Sequence, residues 1–384
     1  MAAGARAMWL VGIDGHSLRG RAAAQQVQEL TIAARRGTIT DRNGVELAVS
    51  EDSATVYANP RQIPDSLAAA RKLAPLLGRP LSGVLKDLSD RSRGFVYLAR
   101  QIPASRGDAI RTLRMPAVGV TSEPHRRYPH GSLAAQLIGS VGTDGYGLAG
   151  IEQSRQRQLG GEDGKRRVVS DAIGQPVSIV DQKDGRAGTD VRLTIDSAIQ
   201  ERTETVLRGV GQTFQPKGAT ALVMDPRSGE ILALANWPAV DAQSFGTAPE
   251  YARVNRAVAA SYEPGSTFKP VTVSGALEER LITPDTPFSV PPTLQVADRK
   301  IHDAEVHGYL SLSVSQILAQ SSNIGTVEVG LRLGRLHFDR WVRKFGFGQL
   351  TNVDIPGEQS GIVPRAAHYS GSSMGNLPIG QGLA

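Results

Sequence analysis

Glu263-Pro264-Gly265-Ser266-Thr267-Phe268-Lys269-Pro270 is the stretch from which the rest of the sequence can be read. Glu263-Pro264-Gly265 marks a turn, and an apolar helical pattern begins directly after it. Ser266 therefore falls at a helix N-terminus, with Lys269 one turn further along the same face. Those residue types at that spacing can do acyl chemistry. A serine hydroxyl is a poor nucleophile until a base takes its proton. A lysine set among Phe268, Val271 and Val273 would lose proton affinity by desolvation and could serve as that base. Backbone donors and the dipole at the helix start favour developing negative charge. The plainer reading makes Ser266 an N-cap and Lys269 a surface lysine, and for an isolated Ser-x-x-Lys it is the better one.

Ser321-Ser322-Asn323 removes that isolation. It follows Ser266 by 55 residues, directly after an apolar pattern over 311–320 that predicts a helix. In an extended or helix-end conformation, positions 321 and 323 point the same way, offering a hydroxyl to relay a proton and an amide to hold substrate. The ordered pair Ser-x-x-Lys and Ser-x-Asn is far more specific than either half.

Outward from this pair, the sequence reads as two domains. Val191 to Ile195 suggests a strand, and Asp196 caps a helix with Ile199, Thr203, Val206, Leu207 and Val210 on one face. Apolar runs at 219–224 and 231–235, joined by Asp225-Pro226-Arg227-Ser228-Gly229, predict an antiparallel hairpin. Helical patterns follow at 267–279, 311–320 and 325–333. Strands followed by helices indicate α+β, and the change of texture near residue 188 divides 1–188 from 189–384. Within 1–188, a polar helix is predicted over 20–34 and a helix over 64–77. A strand, turn and strand are predicted over 37–49 around Asp41-Arg42-Asn43-Gly44. Small hairpins are predicted near Val168-Val169 and 177–180.

With 384 residues, 40% apolar and 21% charged, the chain can bury substantial cores, and wholesale disorder, collagen and coiled coil are excluded. It has no Cys, which removes disulfides, cysteine nucleophiles and thiolate metal sites. Residues 91–130 hold eight Arg against Asp108 and Glu123, which equals the whole net charge of +6. Such a stretch suits nucleic acid, an anionic envelope polymer or a solvated face, and without stacking aromatics the solvated face is preferred. No run approaches the roughly 18 apolar residues of a membrane span.

Three other motifs are weaker. Gly145-Tyr146-Gly147-Leu148-Ala149-Gly150 matches a dinucleotide-binding pattern, but no buried strand precedes it, so a turn-rich connector is preferred. Gly371-Ser372-Ser373-Met374-Gly375 matches a nucleophile elbow without the strand and helix that an elbow needs. His302, Asp303, Glu305 and His307 can ligate metals, yet their spacing beside Gly308 reads as a loop.

Taken together, these motifs resemble the class B penicillin-binding proteins, in their division-specific branch, and the likeness covers nearly all of the chain. Arg36-Gly37-Thr38-Ile39-Thr40-Asp41-Arg42-Asn43-Gly44 looks like the family's N-terminal signature. Gly147-Leu148-Ala149-Gly150-Ile151-Glu152 is similar to its pedestal-domain motif. Val254-Asn255-Arg256-Ala257-Val258, Phe345-Gly346-Phe347-Gly348 and Pro356-Gly357-Glu358 follow its order. The resemblance implies a β-rich non-catalytic pedestal domain over 1–188 and a serine transpeptidase domain over 189–384. It assigns Ser266 as acylated nucleophile, Lys269 as general base, Ser321 as proton relay, and Asn323 as a contact to Lys269 and substrate. The implied substrates are peptidoglycan stem peptides ending in D-alanyl-D-alanine, with β-lactams as trapping mimics. No metal or organic cofactor and no nucleic acid is implied.

The same resemblance sets expectations about the ends. The family's third motif, Lys-Thr/Ser-Gly, closes the site, and none of the eight Lys is followed by Thr/Ser-Gly. The transpeptidase domain is thus expected to be truncated before that strand. Loss of one oxyanion donor alone costs roughly 100- to 1,000-fold in rate, so the chain as given is expected to be inactive or nearly so. A membrane anchor is expected to precede residue 1, placing the protein at a bacterial inner membrane, facing the periplasm, among other division-complex membrane proteins. A penicillin-interacting serine hydrolase or sensor and a non-catalytic division scaffold are the alternatives.

Overall fold

The computed structural model describes residues 27–170 and 176–384, which fall into two compact units, Met1–Val254 and Asn255–Ala384. Packing thus divides the chain well after residue 188, where the sequence changes texture. The reason is local. Segment 189–254 is tied by backbone bonds to the start of the first unit, including Leu193 N–H to Thr40 O at 2.9 Å and Arg42 N–H to Ile195 O at 2.9 Å.

In the first unit, β1 (Val27–Ile32) pairs antiparallel with β6 (Gly164–Ser170), which pairs with β7 (Pro176–Lys183). β1 corrects the helix predicted over 20–34, whose residues 20–26 lie outside the described part. Polar composition hid a strand that is fixed by its partner and not by alternation along its own length. A second sheet runs β4 (Val96–Pro103), β3 (Glu46–Ala58), β2 (Ile39–Thr40), β8 (Val191–Arg192), with β5 (Val118–Arg127) also on β3. The 37–49 hairpin forms as predicted. Asp41 accepts from Asn43 N and Val45 N at 2.7 and 2.9 Å.

α1 (Ser66–Leu77) buries Ala70, Leu73 and Leu77. Asp65 caps its start, and Gly78, at φ 65°, ends it in the left-handed conformation that suits glycine. α2 (Leu81–Ser89) and α3 (Ala104–Thr112) complete this core with Val84, Leu88 and Ile110. Further on, α4 (Ser197–Phe214) is capped by Asp196 and packs on the hairpin β9 (Ala219–Met224) and β10 (Ile231–Trp237). Buried Gln200 bonds both backbone groups of Leu234.

The connector around Gly147 and Gly150 ends in a buried ion cluster. Glu152, fully buried, accepts from Arg36 Nε and from Arg126 Nε at 2.6 Å. Gly150 has φ +57°, and a Cβ there would lie 2.4 Å from Leu137 O. The glycines serve this close packing. The Arg-rich stretch is also largely committed, since Arg93, Arg100, Arg111, Arg126 and Arg127 pair with Asp90, Glu123, Asp108, Glu152 and Glu51.

The second unit is mainly helical. A 3-10 turn over Gly265–Phe268 runs straight into α5 (Lys269–Glu278). β11 (Pro287–Val290) pairs antiparallel with β14 (Leu310–Ser313), and between them β12 (Leu294–Val296) and β13 (Arg299–Ile301) form a short hairpin. α6 (Val314–Ala319), α7 (Asn323–Leu333) and α8 (Arg335–Lys344) follow, and α5 packs on α7 and α8. The helix predicted over 311–320 begins only at Val314, because Ser313 and Gln316 form a capping box and residues 310–313 pair with β11.

Candidate active site

After Pro264-Gly265 the chain passes from solvent into the core within four residues. Ser266 and Thr267 are exposed, while Phe268 and Lys269 are each 1% exposed. Phe268 anchors the turn edge-on to Phe347 and against Phe338, with ring centroids 5.0 and 6.1 Å away. Behind it, Gly265 N–H donates to Gly380 O at 3.0 Å. Gly380 has φ +77°, and a Cβ on it would lie 2.2 Å from Gly265 O, so glycine alone allows this approach.

Lys269, so placed, reaches the second motif. Its Nζ donates to Ser321 Oγ at 3.0 Å, to Asn323 Oδ1 at 2.8 Å and to Ser321 O. These three acceptors match the three protons of an ammonium. Burial nonetheless pulls the Lys269 pKa down to about 8, with the charge of Asp303 opposing the shift. When Lys269 is neutral its lone pair needs a donor. Ser321 Oγ is the one partner of the three that can donate as well as accept.

The geometry of Ser321 follows from how α6 ends. Ser322 N–H bonds Ile317 O at 3.0 Å and Ser321 N–H bonds Leu318 O at 3.1 Å, which closes the helix in a Schellman motif. Ser321 occupies its left-handed position at φ 54°, where glycine is usual. A serine held there carries backbone strain and presents a hydroxyl that glycine would lack.

Ser322 is the N-cap of α7 and binds Gly325 N–H at 2.9 Å. Asp303 supplies the rest of that cap. Its carboxylate accepts from Asn323 N, from Ile324 N at 2.9 Å and from Ser322 Oγ at 2.8 Å. His307 Nε2 lies 3.1 Å from Asp303 Oδ2, the oxygen that Ser322 Oγ also reaches. Burial pushes the Asp303 carboxyl upward, but its bonds from Ile324, Ser322, His307 and Asn323 outweigh this and hold it below the usual range.

In the sequence, Asp303 stands as a metal-capable residue of a loop, with no role at the acyl centre. The available signal was its place before a Ser-x-Asn helix start, which has meaning only once the chain folds back. Among the described residues, no group of three or more His, Asp or Glu side chains is placed to hold a metal ion. Ser373, of the elbow-like motif, starts a single helical turn at Ser373–Asn376, and its Oγ accepts from Ser370 N at 2.8 Å.

Comparison with known proteins places this arrangement. The penicillin-binding protein dimerisation domain matches residues 31–193, and the penicillin-binding protein transpeptidase domain matches residues 219–384. The probable peptidoglycan D,D-transpeptidase PbpC of Pseudomonas aeruginosa is 32% identical, with 100% of this chain and 68% of that protein covered. The chain belongs to the class B penicillin-binding proteins. Another member, penicillin-binding protein PbpB of Mycolicibacterium smegmatis, is 34% identical over 96% of this chain, and the chain spans 61% of its length. A solved structure, penicillin-binding protein 3 of Mycobacterium tuberculosis complexed with aztreonam, aligns with a TM-score of 0.67 and 28% identity. That alignment covers 92% of this chain and 62% of that one.

Proposed function

We propose that this chain carries the acyl-transfer centre of a peptidoglycan D,D-transpeptidase that cross-links stem peptides in septal wall synthesis. The observation that carries the reading is Lys269, buried and bonded to both Ser321 and Asn323, one turn after an exposed Ser266. Neutral Lys269 takes the Ser266 hydroxyl proton as Oγ attacks the carbonyl carbon of the penultimate D-alanine. The peptide C–N bond breaks, and the proton passes through Ser321 to the departing D-alanine amine. A stem-peptide amine then attacks the ester, a new amide forms, and the Ser266 oxygen regains a proton. Asn323 holds the peptide and Lys269 together.

The aztreonam complex of the mycobacterial relative supports β-lactams as ligands of this centre. The polymer substrate lies outside the cytoplasmic membrane, so the centre works on the periplasmic side. The wording around Arg256 and Glu263 supports the division branch. Other membrane proteins of the division complex are the partners of that role, with residues 1–188 as the pedestal and 189–384 as the chemical domain. The test is Ser266→Ala in a protein of the relatives' full length. Loss of cross-linking and of division supports the reading, whereas retained division with Ser266→Ala makes the chain a scaffold.

A further inference from the structure

Three features around the Ser321 turn point to a residue that the two sequence motifs leave out. The first is the start of α7. The N–H groups of Asn323, Ile324 and Gly325 all have acceptors, two from Asp303 and one from Ser322. The second is that Ser322 Oγ, the cap itself, donates to Asp303. The third is charge. The hydrogen-bond partners of Lys269 Nζ are a carbonyl, a hydroxyl and an amide, all neutral. The anion that bears on Lys269 is Asp303, one residue layer behind those partners.

We propose that Asp303 is the positioning residue of this centre. Its carboxylate pins residues 322–324 so that Ser321 and Asn323 meet Lys269, and it supplies the negative field in which Lys269 exchanges its proton. A carboxylate at a helix N-terminus satisfies orphan donors and is favoured by the macrodipole. Here that stabilisation is applied to the one turn whose two flanking side chains touch Lys269. The Asp303 side chain is 11% exposed, so water screens its charge little.

His307 is the titratable group in contact with Asp303. Its Nδ1 lies 2.6 Å from Gly308 O and its Nε2 3.1 Å from Asp303 Oδ2, so both ring nitrogens face acceptors and the imidazolium is favoured. The Gly308 carbonyl first, and Asp303 second, raise the His307 pKa. His307 thereby adds a partner to Asp303 Oδ2, the oxygen that also accepts from Ser322 Oγ.

The inference deepens the acyl-transfer reading of the same centre, but its test does not depend on that reading. The probe is the Lys269 side chain itself, followed by NMR of lysine-labelled protein across a pH titration, in wild type, Asp303→Asn and Asp303→Ser. Both substitutions keep a helix-capping group and remove the charge. The expected result is a Lys269 midpoint about one pH unit lower in the neutral variants, since an anion nearby favours the charged lysine. The acid limb of penicillin acylation should move the same way. An unchanged or raised midpoint in either folded variant overturns the proposal. Failure of wild-type Ser266 to be acylated would instead remove the acyl-transfer reading, and the titration would still decide the role of Asp303.

Discussion

Lys269 Nζ and Ser321 Oγ lie 3.0 Å apart, although 52 residues separate them in sequence. The contact exists because a buried lysine at the start of α5 meets a left-handed serine at the end of α6. Each side of it has consequences that can be measured.

Acylation should rise with pH. Lys269 must be neutral to accept a proton, and its pKa is pulled from the ordinary 10.5 down to about 8, so the active fraction grows as pH climbs through 8. Lys269→Arg should abolish the reaction at every pH, because a guanidinium does not deprotonate. Stopped-flow penicillin acylation against pH checks both. The same shift governs stability. The unfolded chain binds the lysine proton more tightly, so stability should increase with pH between about 8 and 10.5, as read from urea midpoints.

Ser321→Gly should separate stability from activity. Glycine relieves the left-handed strain at φ 54°, offsetting its greater chain entropy, so stability should hold or rise by up to about 1 kcal/mol. The relay hydroxyl is gone, and acyl transfer should fall by about 100-fold or more. Denaturation and acylation rates measured on one sample test the pair.

Gly380→Ala should damage the nucleophile turn from behind. Its Cβ would sit 2.2 Å from Gly265 O at a φ that L-residues avoid. A loss of about 1–3 kcal/mol is expected, together with slower acylation of Ser266. Gly246→Ala, where a Cβ meets nothing within 4 Å, is the matched control and should change neither.

Glu152→Ala should unfold the first unit readily. It would leave Arg36 and Arg126 buried without their shared carboxylate, at a cost of about 3–5 kcal/mol. Thermal denaturation followed by circular dichroism reads this out.

Much of this was legible because the signals were local. Pro264-Gly265, Asp196 and the Asn43-Gly44 turn each act within a few residues, and they form the turn, cap and hairpin that their chemistry demands. The Ser266 and Ser321 motifs could be paired from sequence, and the fold brings Lys269, Ser321 and Asn323 together. Non-local partners were not legible. β1 is a strand because β6 lies beside it, and its polar residues suggested a helix. Ser313 ends a strand and caps α6, a boundary that apolar periodicity blurs. Asp303 acts across a fold-back of 20 residues, and nothing in its own neighbourhood distinguishes it from a loop acid.

The proposed centre makes Ser266 the residue acylated, with Lys269 as its base. Incubation of a protein of the relatives' full length with a labelled penicillin, followed by digestion and mass spectrometry, addresses it directly. The expected result is one adduct, on the peptide containing Ser266, absent in Ser266→Ala and in Lys269→Arg. An adduct on any other serine, or an undiminished adduct in Lys269→Arg, would rule out these roles.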